Sequence, residues 1–359
     1  MGKKPLKVMV VDDSAFMRRF IGDIIEGDSE LQLVGTARNG EDALKKRELY
    51  RPDVIALDVD MPGMDGLATL KRLMSTDPLP VVMVSSHTQQ GSDVTMEALL
   101  AGAVDFVTKP SLSRGESAEE IKKLLPSKIK AAARARVAAR PFLAAGAAAL
   151  AEAVADPAAE KRGPHALRPA RLVVAIASST GGPRALEEVM RGFPADIPAA
   201  VFITQHMPAG FTEALARRLD RVSQLKVRES AGGEMIMEGQ AYLAPGGYHL
   251  IVDESATIVL STAEAVQFVR PSADVMMNSL VELYKSAVLG VVLTGMGRDG
   301  ADGMARIKEA GGMTVVQEPS SAVIPSMPLA IINKGLADVV VPLERIAETV
   351  TEMLRQLRY

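Results

Sequence analysis

Short apolar runs separated by stretches of helical periodicity open the chain. "KVMVV", "LQLVGT", "PDVIAL", "PVVMVS" and "AVDFVT", between Lys7 and Thr108, read as strands. "AFMRRFIGDII" and "GLATLKRLM" repeat apolar residues every three or four positions and read as amphipathic helices. Ser117 followed by Glu120 has capping-box spacing and opens one more helix. Strands alternating with helices predict a parallel sheet covered on both faces. From about Lys128 to Pro169 the pattern dissolves into alanine-rich sequence, interrupted at Pro141, Pro157, Pro164 and Pro169. That composition reads as a partly helical linker, with His165 solvated inside it.

The alternation resumes at "LVVAIAS". Further strands are "AAVFITQ", "AVLGVVLTG" and "MTVVQE", with helices "PRALEEVMRGF", "GFTEALARRL" and "ADGMARIKEAG". Between Leu225 and Ser261 the glycine-punctuated "YLAPGGYHLIVDESATIVLS" predicts hairpins beside the parallel sheet. The expected organisation is α/β throughout: a domain at 1–127, a linker at 128–169 and a second domain at 170–359.

Composition narrows the function classes. A chain of 359 residues, 48% hydrophobic, can fill two cores. No apolar run reaches the roughly 18–20 residues that span a bilayer. Asp12 and Asp13 follow the first apolar run directly, unlike a signal peptide, so a cytoplasmic chain without membrane insertion is expected. The absence of cysteine excludes disulfides, thiolate metal sites and cysteine nucleophiles. Net charge is −3, and residues from Ala170 onward carry 17 Lys and Arg against 21 Asp and Glu. Neither balance gives a reason to expect nucleic acid.

Candidate chemistry gathers at strand ends. Asp12 and Asp13 close the first strand, Asp58 the third and Ser85 the fourth, while Lys109 follows the fifth. In an open parallel sheet, ligands bind at the carboxyl ends of strands beside the topological switch point. Three carboxylates converging there repel one another unless a divalent cation neutralises them, and an oxygen-only ligand set suits Mg²⁺. The Ser85 hydroxyl and Lys109 ammonium could hold the oxygens of a phosphoryl group on Asp58.

The second domain leaves two readings open. In "VVAIASSTGGPRAL" a serine precedes a glycine turn and a helix start, where amides can stabilise an oxyanion. Of the four histidines, His87 falls in the first domain, His165 in the linker and His249 in the hairpin region. His206, after the next strand, is the candidate base, and Asp299 ends a further strand. The order Ser, His, Asp is compatible with a triad, which is recognised by roles. Yet Gly295, Gly297 and Gly300 in "VVLTGMGRDGADGM" fit G-x-G-x-x-G, with Glu318 about twenty residues on, as a dinucleotide site requires. Asp299 would then lie within the phosphate turn and repel a pyrophosphate.

The first domain, over roughly Leu6–Leu125, resembles the receiver domain of two-component response regulators. The resemblance implies a flavodoxin-like fold with a five-stranded parallel sheet. It also implies phosphorylation of Asp58 by a histidine kinase with Mg²⁺, and a switch aromatic at Phe106. Residues from about Arg171 to Arg355 resemble chemotaxis protein-glutamate methylesterases, through "SSTGGP", "ITQHMPAGFT", "YLAPGGYH", "RPSADVM" and "LTGMGRDGADGM". That implies a Rossmann-like doubly wound catalytic domain with a β-hairpin insertion. Its nucleophile would be Ser179, its base His206 and its orienting acid Asp299, with Thr180, Gly181 and Met296 near the oxyanion and no cofactor at the hydrolase site. Ala177-Ser178-Ser179-Thr180 departs from the family's Gly-Ala-Ser-Thr, and the position before Thr180 together with strand alternation favours Ser179. The glycine turn would then bring amides and Asp299 to His206 instead of cradling a dinucleotide. The implied activity is hydrolysis of glutamate methyl esters on methyl-accepting chemoreceptors and deamidation of selected glutamines, controlled by a chemotaxis histidine kinase. An oxidoreductase output and a response regulator acting by binding alone are the rival expectations.

Overall fold

Uninterrupted aliphatic runs make strands that must hide both faces, and this decides the architecture. A computed structural model describes residues 4–86, 88–110, 118–137 and 168–357. His87, Ser117, His165 and most of the expected linker lie outside the described residues. The chain forms two compact units, one before and one after residue 150.

In the first unit β1 (Leu6–Val11), β2 (Leu31–Ala37), β3 (Val54–Asp58), β4 (Val81–Ser85) and β5 (Asp105–Thr108) pair in parallel, in the order β2-β1-β3-β4-β5. Every residue of β3 and β4 is buried. The helices between them are α1 (Ala15–Glu26), α2 (Gly40–Tyr50), α3 (Gly66–Thr76) and α4 (Gln89–Ala101). Each is opened by a polar side chain that accepts a first-turn N–H, from Ser14, Asn39, Asp65 and Thr88 in turn. Helix α5 (Ala118–Ala132) runs past the expected domain boundary at 127. The Lys128 ammonium lies 2.8 Å from Asp105 Oδ1 and donates to the Phe106 carbonyl at 2.7 Å, so residues 128–132 pack with this unit.

The second unit is built on seven parallel strands, ordered β14-β13-β12-β6-β7-β9-β8. They are β6 (Val173–Ser178), β7 (Ala200–Gln205), β8 (Lys226–Glu229), β9 (Gln240–Leu243), β12 (Val288–Val292), β13 (Met313–Gln317) and β14 (Val339–Val341). The Leu225–Ser261 region differs from the hairpins expected there. β8 and β9 extend the main sheet in parallel, and only β10 (His249–Val252) and β11 (Ile258–Ser261) form a hairpin. β9 is buried along its length and pairs with β7, and Tyr242 stacks on Phe202 with centroids 5.4 Å apart. That burial makes it an inner strand.

Helix α6 (Gly182–Gly192) packs with both α7 (Phe211–Val222) and α11 (Ile346–Leu357). Helices α8 (Ala273–Tyr284), α9 (Ala301–Glu309) and α10 (Ser326–Ile332) bury Met276, Met277, Met304 and Met327 against β6 and β12. Chain direction across the sheet reverses between β6 and β12, so the loops after these two strands flank the switch point.

Candidate functional site

Asp12 and Asp13 follow β1, Asp58 ends β3, and the switch point of the first sheet lies between those strands. One carboxylate oxygen from each comes within 4.8 Å of the others. Lys109 Nζ lies 3.0 Å from Asp12 Oδ2 and 2.8 Å from Asp58 Oδ2. Burial pushes the Asp58 carboxyl up to about 6 although Lys109 opposes the shift, and the neighbouring Asp12 charge adds to it. Burial alone would lower Lys109; the two carboxylates outweigh it and raise that ammonium. Hard oxygen ligands with surplus negative charge fit a divalent cation such as Mg²⁺. Ser85 is buried at the end of β4, and its Oγ accepts from Thr95 Oγ1 at 2.6 Å. Phe106 is buried in β5, with the Lys128 ammonium 5.2 Å from its ring centroid.

In the second unit the two adjacent serines separate cleanly. Ser178 is the last residue of β6; it is fully buried and donates from Oγ to Gln205 Oε1 at 2.7 Å. Ser179 is half-buried, and its backbone N–H donates to the Thr294 carbonyl at 3.1 Å. Gly181 turns the chain into α6 with φ +77°, where a Cβ would meet Val323 at 2.7 Å.

His206 follows β7, and its backbone N–H donates to the Ser178 carbonyl at 3.2 Å, bringing the two strand ends together. Its Nε2 lies 2.7 Å from Asp299 Oδ2. Asp299 is buried, while 11% of the His206 side chain remains exposed. With Nε2–H turned to Asp299, Nδ1 is the nitrogen able to take a proton.

Asp299 is bound by the start of α8. Ser272 Oγ donates to Oδ1 at 2.8 Å, the Ala273 N–H to Oδ2 at 2.6 Å, and the Asp274 N–H to Oδ1 at 3.1 Å. Burial alone would raise this carboxyl. The hydrogen bond and charge of His206, then the two amides, outweigh it and hold Asp299 down to about 2. The glycine turn lies against the serine: a Cβ on Gly295 would fall 2.8 Å from Ser179 Cβ. Met296 is exposed on the same loop, and Thr180 is buried with its carbonyl accepting from Thr294 Oγ1 at 3.0 Å.

Comparison with known proteins gives whole-length relatives. A protein-glutamate methylesterase/protein-glutamine glutaminase of Symbiobacterium thermophilum is 43% identical over 358 residues, covering 97% of each chain. One of Pyrococcus horikoshii is 45% identical over 361 residues, covering 100% of this chain and 96% of its own. A family model described as CheB methylesterase matches residues 174–350, and one described as response regulator receiver domain matches residues 8–121. The chain belongs to the CheB methylesterase family. The crystal structure of the Thermotoga maritima CheB methylesterase catalytic domain is 38% identical with a TM-score of 0.50, covering 51% of this chain and 98% of that one.

Within this CheB family member, three side chains escaped the sequence reading. Gln205 accepts from Ser178 and donates from Nε2 to the carbonyls of Ser179 and His206, at 2.9 and 3.3 Å. Its place directly before His206 in "ITQHMP" was the available signal. Ser272 and Asp274, in "RPSADVM", hold Asp299 and its surroundings. His249 has a structural role: Nδ1 accepts from the Ser272 N–H at 3.1 Å, and Nε2 donates to the Glu264 carbonyl at 3.0 Å.

Proposed function

We propose that Ser179, His206 and Asp299 carry the family's hydrolytic reaction, and that Asp58 controls it. The chain is a protein-glutamate methylesterase and protein-glutamine glutaminase, regulated through its receiver domain. The observation that carries the site reading is the 2.7 Å contact between His206 Nε2 and Asp299 Oδ2, on strand ends that also hold a half-buried serine.

Ser179 Oγ attacks the ester carbonyl carbon while His206 Nδ1 takes the hydroxyl proton. Asp299 fixes the tautomer through Nε2–H and stabilises the imidazolium. Amides near Thr180, Gly181 and Met296 receive the oxyanion. His206 then returns the proton to the leaving oxygen, and methanol departs from the acyl-enzyme. Water, deprotonated by the same imidazole, releases the glutamate carboxylate and restores Ser179. A glutamine amide follows the same route with ammonia as the leaving group.

Asp58 accepts a phosphoryl group from a chemotaxis histidine kinase. Asp12, Asp13 and Asp58 would hold Mg²⁺, which would supply neutralisation of the charge on the phosphoryl oxygens. Lys109 turns its ammonium to one such oxygen, and Ser85 Oγ, which donates to the Ser86 and Gly91 carbonyls at 3.3 and 3.4 Å, turns that proton to another. Phe106 and the face around it respond, and this response controls the hydrolytic activity of the second unit. The substrates are methyl-accepting chemoreceptors, met in the cytoplasm; among the described residues no helix is long and apolar enough to cross a membrane.

Methanol release from a methylated chemoreceptor fragment, with the full chain, Mg²⁺ and a small phosphodonor, tests this reading. Release should rise with the phosphodonor and vanish in Ser179→Ala. Undiminished release in Ser179→Ala would overturn the site assignment.

A further inference from the structure

Seven bulky apolar side chains stand exposed among the described residues of the second unit, and three of them are on loops tied to the catalytic residues. Met296 lies three residues before Asp299. Tyr248 follows Gly247, whose N–H donates to the Arg270 carbonyl at 3.1 Å, and Gly246, where a Cβ would fall 2.6 Å from the Pro208 carbonyl oxygen, two residues from His206. Phe268 is the extreme case, with its entire side chain in solvent.

The backbone under Phe268 is as unusual as its exposure. Val266 and Val269 exchange both N–H···O bonds, at 3.1 and 3.0 Å, so Gln267 and Phe268 are the two central residues of a tight hairpin turn. Both have positive φ, +51° and +66°. Turns of this kind favour Asn-Gly, because a bulky side chain resists the left-handed region. The ring gains no packing in compensation. The turn itself is firmly held: Gln267 Nε2 donates to Asp274 Oδ2 at 3.0 Å, and its Oε1 accepts from Arg298 Nε at 3.3 Å. Asp274 and Arg298 are the immediate neighbours of Asp299, through a hydrogen bond from the backbone N–H in the first case and along the chain in the second.

A strained turn that presents an unpacked aromatic ring conflicts with local stability, and conflicts of that kind cluster at functional sites. We infer that Phe268, with Met296 and Tyr248, forms the docking surface for the substrate protein, receiving apolar side chains that flank the scissile glutamyl ester. The inference rests on the proposed esterase reading. An ester on a protein side chain brings its parent surface to the rim of the site, so residues standing free on that rim contact the parent protein. Exposed aromatic anchors are the side chains that contribute most at such contacts. Phe268 thus acts on recognition and leaves the bond-making atoms alone.

The test uses the full chain with Mg²⁺ and a small phosphodonor, and two readouts. One is kcat/KM for methanol release from a methylated chemoreceptor fragment. The other is the rate at which a small fluorophosphonate labels Ser179. Phe268→Ala is expected to lower kcat/KM about tenfold, mainly through KM, while labelling stays within about twofold. Phe268→Asn, whose side chain tolerates the left-handed region, should lose the same activity while melting no lower than the parent protein. Unchanged kcat/KM in both variants, or labelling that falls in step with it, would overturn the proposal. So would a rise in methanol release without phosphodonor, which would assign the surface to the chain's own first unit. Absence of Ser179 labelling in the parent protein would instead sink the esterase reading on which the proposal stands.

Discussion

Asp299 and Asp274 cap each other's helices. Asp299 stands just before α9 and accepts the first amides of α8, while Asp274, in the first turn of α8, accepts the Asp302 and Gly303 N–H groups of α9 at 3.0 and 2.8 Å. Two helix N-termini thus face carboxylates supplied by each other's chain segments. The charge is divided unequally. Burial, followed by the charge on Asp299, pushes Asp274 up to about 6, against the Gly303 amide, whereas Asp299 is held down to about 2. Between pH of about 2 and about 6, negative charge therefore settles on the carboxylate that faces His206.

Replacing Asp299 by Asn tests that arrangement. The amide keeps the shape but can turn an NH₂ toward Nε2, moving the imidazole proton to Nδ1, where it blocks acceptance from Ser179. Methanol release should fall by about 10⁴ in kcat with little change in KM. A loss below tenfold would remove the His206–Asp299 contact from the mechanism. The stability effect has a definite sign. A carboxyl depressed from 3.8 to about 2 stabilises the fold above pH 4 and loses that contribution as pH falls through 2. The melting temperatures of the parent protein and Asp299→Asn should therefore converge in strong acid.

Much of this was legible in the chain itself, for a physical reason. β3, β4 and β6 are continuous apolar runs because both their faces are covered, and a polar residue at the end of such a run marks the carboxyl edge of a parallel sheet. Asp58 and His206 could be found that way. The four-residue strands β8 and β9 could not, because a short strand carries no record of its partner, and β9 is defined by pairing with β7 some forty residues earlier. The same applies to Ser272 and Asp274, whose bonds to Asp299 span 27 and 25 residues. Spacing reveals neighbours along an element and is silent on side chains joined through the fold.

The two serines should behave oppositely. Ser178 donates to Gln205 Oε1 in a buried position, so Ser178→Ala leaves that acceptor unpaired and should lower stability by about 1–3 kcal/mol. Activity should persist, reduced in so far as Gln205 loses its hold on the Ser179 carbonyl. Ser179→Ala should melt like the parent protein and release no methanol. Paired thermal denaturation and methanol assays would distinguish them, and an inactive Ser178→Ala beside an active Ser179→Ala would reverse the assignment.

Phosphorylation should depend on pH in a way that Mg²⁺ alters. Asp58 attacks a phosphodonor as the carboxylate, and burial raises its carboxyl to about 6. At low Mg²⁺ the rate of phosphorylation should therefore rise as pH passes upward through about 6. A cation held by Asp12, Asp13 and Asp58 favours the charged form, so higher Mg²⁺ should shift the midpoint to lower pH. Stability has the opposite slope to that of Asp299: the raised carboxyl makes the metal-free fold less stable as pH climbs from about 4 to about 6. Asp58→Asn should remove that decline, as urea melts at a series of pH values would register. A midpoint unaffected by Mg²⁺ would separate the cation from the carboxylate cluster.

Gly295 links the glycine turn to the nucleophile and gives the sharpest test of the site's packing. A Cβ there would lie 2.1 Å from Met327 Sδ and 2.8 Å from Ser179 Cβ, both inside contact distance. The methionine can swing away, since its thioether is flexible. Ser179 cannot do so freely, because its N–H is bound to the Thr294 carbonyl and its own carbonyl accepts from both Gly182 N–H and Gln205 Nε2. Gly295→Ala should therefore displace Oγ from His206 and lower kcat by about 10²-fold, the scale of a misplacement near 1 Å. Adding Met327→Ala should relieve the clash with sulfur, without restoring activity. Recovery of activity in the double variant would mean that Met327, and not Ser179, bears the contact.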